Sequence, residues 1–146
     1  MTLISNKIHY IGTNDRKKHL FENNWPLPYG VSYNSYLIAD EHPALVDTLE
    51  YGADPDYLTN LNTILGGRPR EYLIINHLEP DHSSMIGEIL RTYPDVTVVG
   101  NCTTFKLLAN YYAVPQEQKL EVMDGSTLSL GHHVLTFAWV PWVHWP

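Results

Sequence analysis

Apolar and polar residues along the chain switch between a two-residue and a helical period. Tyr33–Ile38 (YNSYLI) and Ala44–Asp47 (ALVD) are short β-forming runs on either side of a polar turn, Asp40-Glu41-His42-Pro43, and predict two strands. A punctuated helix follows: Asp54 as its cap, Pro55 in the first turn, Leu58, Leu61, Ile64 and Leu65 on one face, and Gly66-Gly67 as its stop. Tyr72–Ile75 (YLII) is apolar throughout, as in a strand buried on both faces, and it empties into a loop from Asn76 to Ser84. From about Ser84, Met85, Ile86, Ile89 and Leu90 form the stripe of a second helix. Val96–Val99 again reads as strand, and Thr103–Tyr112 as a helix that groups Phe105, Leu108 and Tyr112. Beyond it the signal is β: Leu120–Met123, Thr127–Leu130, a Gly131-His132 turn, and Val134–Trp139. This order predicts an α/β (α+β) fold, a mixed sheet with helices packed outside it. No repeat, low-complexity segment or internal linker interrupts it.

Composition narrows the function classes. The 146 residues suit one domain with a real core, and 44% hydrophobic against 17% charged residues excludes a disordered chain. The formal charge is -7, and the one compact basic patch is Arg16-Lys17-Lys18, which argues against nucleic acid and against a membrane surface. A single Cys102 allows no internal disulfide and fits a reducing compartment. The longest nearly apolar run, Val134–Val143, is about half a membrane span and contains Thr136 and Pro141. The first residues lack the pattern of a signal peptide, so the expected location is the cytoplasm. Trp139, Trp142 and Trp145 stand close to a terminus with no polar tail, which reads as a truncated chain.

The chemistry concentrates in His77-Leu78-Glu79-Pro80-Asp81-His82. In an extended segment His77, Glu79 and Asp81 share one face, and Pro80 biases Glu79 toward that extension. Fully extended, His77 and Asp81 would stand about 13 Å apart, too far for one ion, so the loop must curl. Glu79 and Asp81 side by side repel unless a cation holds both ionised. A solvated loop with Asp81 at a helix N-terminus accounts for Asp81 alone, not for two histidines and a second acid. Two imidazoles and two carboxylates without thiolate suit iron, manganese or zinc. One loop cannot surround two ions, and His144, in Val143-His144-Trp145-Pro146, is the candidate distant ligand.

Asn76-His77-Leu78-Glu79-Pro80-Asp81-His82-Ser83, together with Val143-His144-Trp145-Pro146, resembles the flavodiiron proteins, oxygen or nitric-oxide reductases with a metallo-β-lactamase-like N-terminal domain. Gly30–Ile38 (GVSYNSYLI) and Leu45-Val46-Asp47-Thr48 look like that family's opening strands, so the likeness runs over nearly the whole chain. The resemblance implies an αββα sandwich, of which residues 1–146 would form the N-terminal half. It implies two iron ions, one held by His77, Glu79 and His144 nearer the flavin, the other by Asp81 and His82. A bridging carboxylate, a further His and an FMN-holding flavodoxin-like domain would lie outside these residues. The implied activity is reduction of O2 to water or NO to N2O, with rubredoxin or a flavin/NADH reductase as electron donor. A homodimer or higher oligomer is expected, and the 146 residues alone should be inactive.

Two other functions compete. A binuclear hydrolase of the same fold is one, although zinc hydrolases of the superfamily carry His where this chain has Glu79. The second is a non-catalytic metal-binding fragment. Elsewhere, Asp47 ends a strand on the loop side, where it either hydrogen-bonds the metal loop or serves as an ordinary turn residue. His132 and His133 sit in a turn, where exposed polar residues are expected, and His9, His19 and His42 read as solvated. Cys102 reads as a half-buried thiol. No glycine-rich phosphate loop is present, so FMN has no such seat here.

Overall fold

The computed structural model describes residues 2–21 and 23–140. The chain opens with β1 (Thr2–Ser5) and β2 (Ile8–Tyr10), then passes through short ribbons: β3 (Thr13–Asp15), β4 (Leu20–Phe21), β5 (Trp25–Pro26) and β6 (Val31–Tyr33). The central strands are β7 (Tyr36–Ile38), β8 (Ala44–Val46), β9 (Tyr72–Ile74), β10 (Thr97–Gly100) and β11 (Lys119–Glu121). Between them run α1 (Tyr57–Leu65), α2 (Pro80–Ser83), α3 (Ile86–Thr92) and α4 (Cys102–Leu108), and β12 (Thr127–Ser129) with β13 (Val134–Thr136) comes last.

Seven strands form one sheet in the order β1-β2-β7-β8-β9-β10-β11. The first four are antiparallel, while β8, β9, β10 and β11 run parallel. Parallel neighbours need long crossovers, and helices supply them. Register then sorts the side chains. Leu37, Leu45, Leu73 and Val98 lie in one row across four strands and face Leu61, Leu65, Ile86, Ile89, Phe105 and Leu108 of the helices. Their chain neighbours Ile38, Ala44, Ile74 and Val99 point to the opposite face, under Leu130 and beside Leu128, Leu135 and Phe137 of the β12–β13 hairpin. The result is helices on one side of a sheet and a β layer on the other, the layering expected of half an αββα sandwich.

Several boundaries differ from the sequence expectation for local reasons. The run Tyr33–Ile38 is not one strand: β6 pairs with β3, whereas β7 joins the main sheet. The crossing residue Ser35 is fully buried, and its hydroxyl satisfies the Asp47 carbonyl at 3.0 Å and meets the Tyr57 hydroxyl at 2.8 Å. Asp54 does not cap α1 itself. Its carboxylate accepts the Asp56 amide at 2.9 Å in a turn before the helix, which starts at Tyr57. The Gly66 stop holds, with the glycine in the left-handed region at φ 59°. α4 is shorter than predicted and is capped by the Asn101 side chain, which accepts from the Thr104 amide. The ribbons β3–β6 and β4–β5 were illegible because each strand has two or three residues, too few to show a period.

Candidate metal centre

The metal loop leaves the carboxyl end of β9, beside Asp47, which follows the neighbouring strand β8. Asp47 adopts φ 52°, a left-handed conformation that Asp tolerates better than most residues. This turn lets its carboxylate accept the Asn76 amide at 2.8 Å and the His77 amide at 3.2 Å. Burial raises the Asp47 pKa above the usual carboxylate value, against the pull of those two amides. The next residue continues the grip: the Thr48 amide and hydroxyl both donate to the His82 carbonyl, at 3.0 and 2.6 Å. The Tyr51 amide donates to Ser84 Oγ at 2.8 Å. The segment from Asp47 to Tyr51 therefore clamps the loop at both ends.

Within the clamp the loop curls. Glu79 is extended (φ -64°, ψ 151°), as Pro80 dictates, and then α2 turns the chain back on itself. The Ser83 hydroxyl fixes that turn by donating to the Leu78 carbonyl at 2.8 Å. One ligand atom each from His77, Glu79 and Asp81 falls within 4.8 Å of the others. The convergence was expected, but its means was not: Asp81 arrives through a helical turn, not through strand alternation. His82 joins them, its ring 5.4 Å from that of His77.

The donors group in two pairs. His77 Nε2 lies 3.3 Å from Glu79 Oε2, and His82 Nε2 lies 3.6 Å from Asp81 Oδ2. All four side chains are at most 19% exposed. Asp81 Oδ1 and His82 Nδ1 are buried with no hydrogen-bond partner, a costly arrangement for polar atoms unless something else satisfies them. A donor set of two imidazoles and two carboxylates, poised this closely and partly orphaned, fits one or two divalent transition ions. His144 lies outside the described residues.

Beside the loop stands a group that nothing in the sequence signalled. Tyr33 is fully buried, and its hydroxyl donates to Glu50, which also pairs with Lys18. Burial first, then the Glu50 carboxylate and the charges of Asp15 and Asp81, push the Tyr33 phenol well above its usual range. The Glu50 carboxyl is held below its usual value because the Lys18 and Tyr33 bonds outweigh burial. These partners are separated by 32 and 17 residues, so no motif joins them. The other singled-out residues lie elsewhere. His42 pairs with Glu71 at 2.8 Å, and Cys102 is half-buried at the start of α4. His132 and His133 are not simply exposed turn residues: both bind the buried Asp40.

Comparison with known proteins bears on the family and the fold. No family model matches the chain. A putative diflavin flavoprotein of Synechocystis sp. is 38% identical over 133 residues, covering 90% of this chain and 23% of that protein. An anaerobic nitric oxide reductase flavorubredoxin of Citrobacter koseri is 30% identical over 99% of this chain and 30% of its own length. The chain thus spans about a quarter of the length of the curated relatives it matches. Among solved structures, rubredoxin oxygen:oxidoreductase from Desulfovibrio gigas superposes with a TM-score of 0.90 at 27% identity, over 99% of this chain and 36% of that one. The flavodiiron protein from Giardia intestinalis gives 0.86 at 28%, over 96% and 34%. A subclass B3 metallo-β-lactamase from a soil metagenome gives 0.66 at 18%, over 92% and 50%, which shows the shared fold alone. The likeness to flavodiiron proteins read from the sequence is borne out along the whole chain, and so is the metallo-β-lactamase-like fold.

Proposed function

We propose that this chain, similar over nearly its whole length to the N-terminal part of flavodiiron proteins, is the N-terminal portion of a metallo-β-lactamase-like di-iron domain in an oxidoreductase. The supporting observation is the paired donor set: His77 with Glu79, and Asp81 with His82, gathered on one curled loop. In this reading His77, Glu79 and His144 hold the iron nearer the flavin, and Asp81 and His82 hold the other. When bound, a di-iron centre supplies electrons to O2 or NO, and FMN in the complete protein replenishes them.

The chain's own residues set the conditions for that chemistry. Glu79 and Asp81 bring two anionic oxygens together, offsetting the charge of the ions they would hold. Asp47 and Thr48 fix the loop backbone so that little reorganisation accompanies binding. Leu78, half-buried, packs against the helix-facing core, which anchors the loop. The carboxylate at Glu79 favours iron over the zinc of related hydrolases. The electron donor in this reading is rubredoxin or a flavin/NADH reductase, and the substrate is O2 or NO.

The test is Glu79→Ala in the complete iron-loaded protein. It should remove or misload the flavin-proximal ion, since two neutral imidazoles remain there in place of an anionic oxygen. Iron content should fall by about half and O2 or NO consumption should be lost. Unchanged iron content with unchanged consumption would sink the assignment, and zinc with ester or phosphodiester turnover would establish the hydrolase instead.

A further inference from the structure

Away from the metal loop, Asp40 is a carboxylate with no solvent exposure. It follows β7 as Asp47 follows β8, and because β7 and β8 are antiparallel the two aspartates mark opposite ends of the sheet. Asp40 Oδ2 accepts the His133 amide and His133 Nδ1, both at 2.7 Å. Its Oδ1 accepts Lys7 Nζ and His132 Nδ1, both at 3.0 Å. Lys7 comes from the β1–β2 turn, and the two histidines come from the β12–β13 turn, more than ninety residues away. The backbone joins in, with the His42 amide donating to the Leu130 carbonyl at 3.0 Å.

These bonds have a distinctive distribution. Among the described residues, every hydrogen bond between the hairpin, residues 127–136, and the first layer runs through this turn. The rest of the hairpin's hold is apolar, through Leu128, Leu130 and Leu135. At the other end, a cleft of about 550 Å³ separates the exit of β13, at Phe137 and Trp139, from Asn76, Asn101 and Met123 at the carboxyl edge of the sheet. The turn of the hairpin is thus bound to the sheet by hydrogen bonds, while its other end is joined to β11 through residues 122–126, where the Trp139 amide donates to Asp124 at 2.8 Å.

We propose that Asp40 is a latch for the second layer: its charge seats the β12–β13 hairpin on the sheet, and its loss lets the hairpin detach as a unit while the seven-stranded sheet stays folded. Apolar contact is non-directional and sets no register by itself, whereas four converging donors on a buried anion set one position. Replacing the carboxylate by an amide leaves one neutral oxygen for these donors and turns an NH2 group toward the others. The sheet loses little, because its own ladder and its helix-facing row do not involve Asp40.

The experiment is amide hydrogen exchange on the chain with Asp40→Asn. The Leu128 and Leu135 amides, which face each other at a hydrogen-bonded pair of the hairpin, should exchange about tenfold faster or more, while Leu73, Ile74 and Val98 keep their protection. Equal acceleration of both sets would show that Asp40 supports the whole fold and would overturn the latch; no acceleration in the hairpin would overturn it equally. If Asp40→Asn fails to fold, Lys7→Met decides the matter, because it removes one exposed donor and keeps the anion. It must reproduce the same selective acceleration at a smaller size, and a uniform or absent response would refute the proposal.

Discussion

Two aspartates one strand apart, Asp40 fully buried and Asp47 half-buried, lie at opposite ends of the same sheet and behave in opposite ways. Asp47 receives backbone amides of the metal loop, and burial wins, so its pKa rises. Asp40 is opposed by burial too, but the bonds from His133, Lys7 and His132 outweigh it and hold its pKa far below the usual range. Depth therefore does not decide the charge state; the number and type of donors do. The difference matches their roles. Asp47 shapes a loop that awaits positive charge, whereas Asp40 already has its cation and serves to join two layers.

The widest contrast should appear on adding metal. If only the Asp47 end is a metal site, ferrous or cobaltous ion at a hundred times its Kd should stabilise the chain by about 2.7 kcal/mol. Exchange protection should grow at residues 76–84 and not at residues 131–133. His77→Ala should abolish the gain. Metal-induced protection at the Asp40 end instead would break the comparison.

Next in size are substitutions at Asp47. Asp47→Ala removes the acceptor of two loop amides and places alanine at φ 52°, which should cost about 2–3 kcal/mol in urea unfolding. Asp47→Asn keeps an acceptor and a residue tolerant of that backbone. It should fold normally yet bind metal about tenfold more weakly, as expected for a group that orients a ligand. Equal metal affinity in Asp47→Asn and the parent chain would mean that only shape matters at this end.

The pH response separates the two ends again. Because the folded Asp40 pKa lies below its ordinary 3.8, the unfolded chain binds the extra proton as pH falls. Its contribution is complete above about pH 5 and is lost progressively below that value. The neighbours Lys7, Glu41, His132 and His133 are present in both variants, so the comparison isolates the carboxylate. The urea midpoint of the parent chain should fall more steeply between pH 5 and 3 than that of Asp40→Asn. Parallel curves would refute the charge argument.

How much of this was legible follows from sequence distance. The donors His77, Glu79, Asp81 and His82 stand within six residues, so their spacing alone announced them, and the Pro80 stiffening was readable from local rules. The helix-facing and hairpin-facing rows were readable as strands because YLII and ALVD are dense in apolar residues. Asp40, His132 and His133 each looked like ordinary turn residues, and only the fold places them together across more than ninety positions. Tyr33, Glu50 and Lys18 were hidden for the same reason. Asp47 was half legible: its position at a strand end suggested a bond to the loop, but its left-handed backbone could not be read from an aspartate flanked by Val46 and Thr48.

The smallest expected effect probes the seat of the hairpin turn on the first layer. Gly125 and Gly131 flank β12 and β13 and both have positive φ, 76° and 108°. A Cβ at Gly125 would meet nothing within 4 Å, whereas one at Gly131 would meet the Glu41 side chain at 2.8 Å. Alanine at either site should cost about 1 kcal/mol from backbone strain alone. Gly131→Ala must also displace Glu41, whose outer atoms can swing away but whose Cβ, fixed to the backbone, stands at 2.8 Å, so the added penalty should be about 1 kcal/mol. That increment should persist in part in Glu41→Ala, which keeps the Cβ at 2.8 Å, and should vanish only in Glu41→Gly, which removes it. Equal costs for the two glycines in the parent chain would mean that the turn rests less tightly on Asp40-Glu41 than the geometry indicates, and the latch would then rest on the Asp40 charge alone.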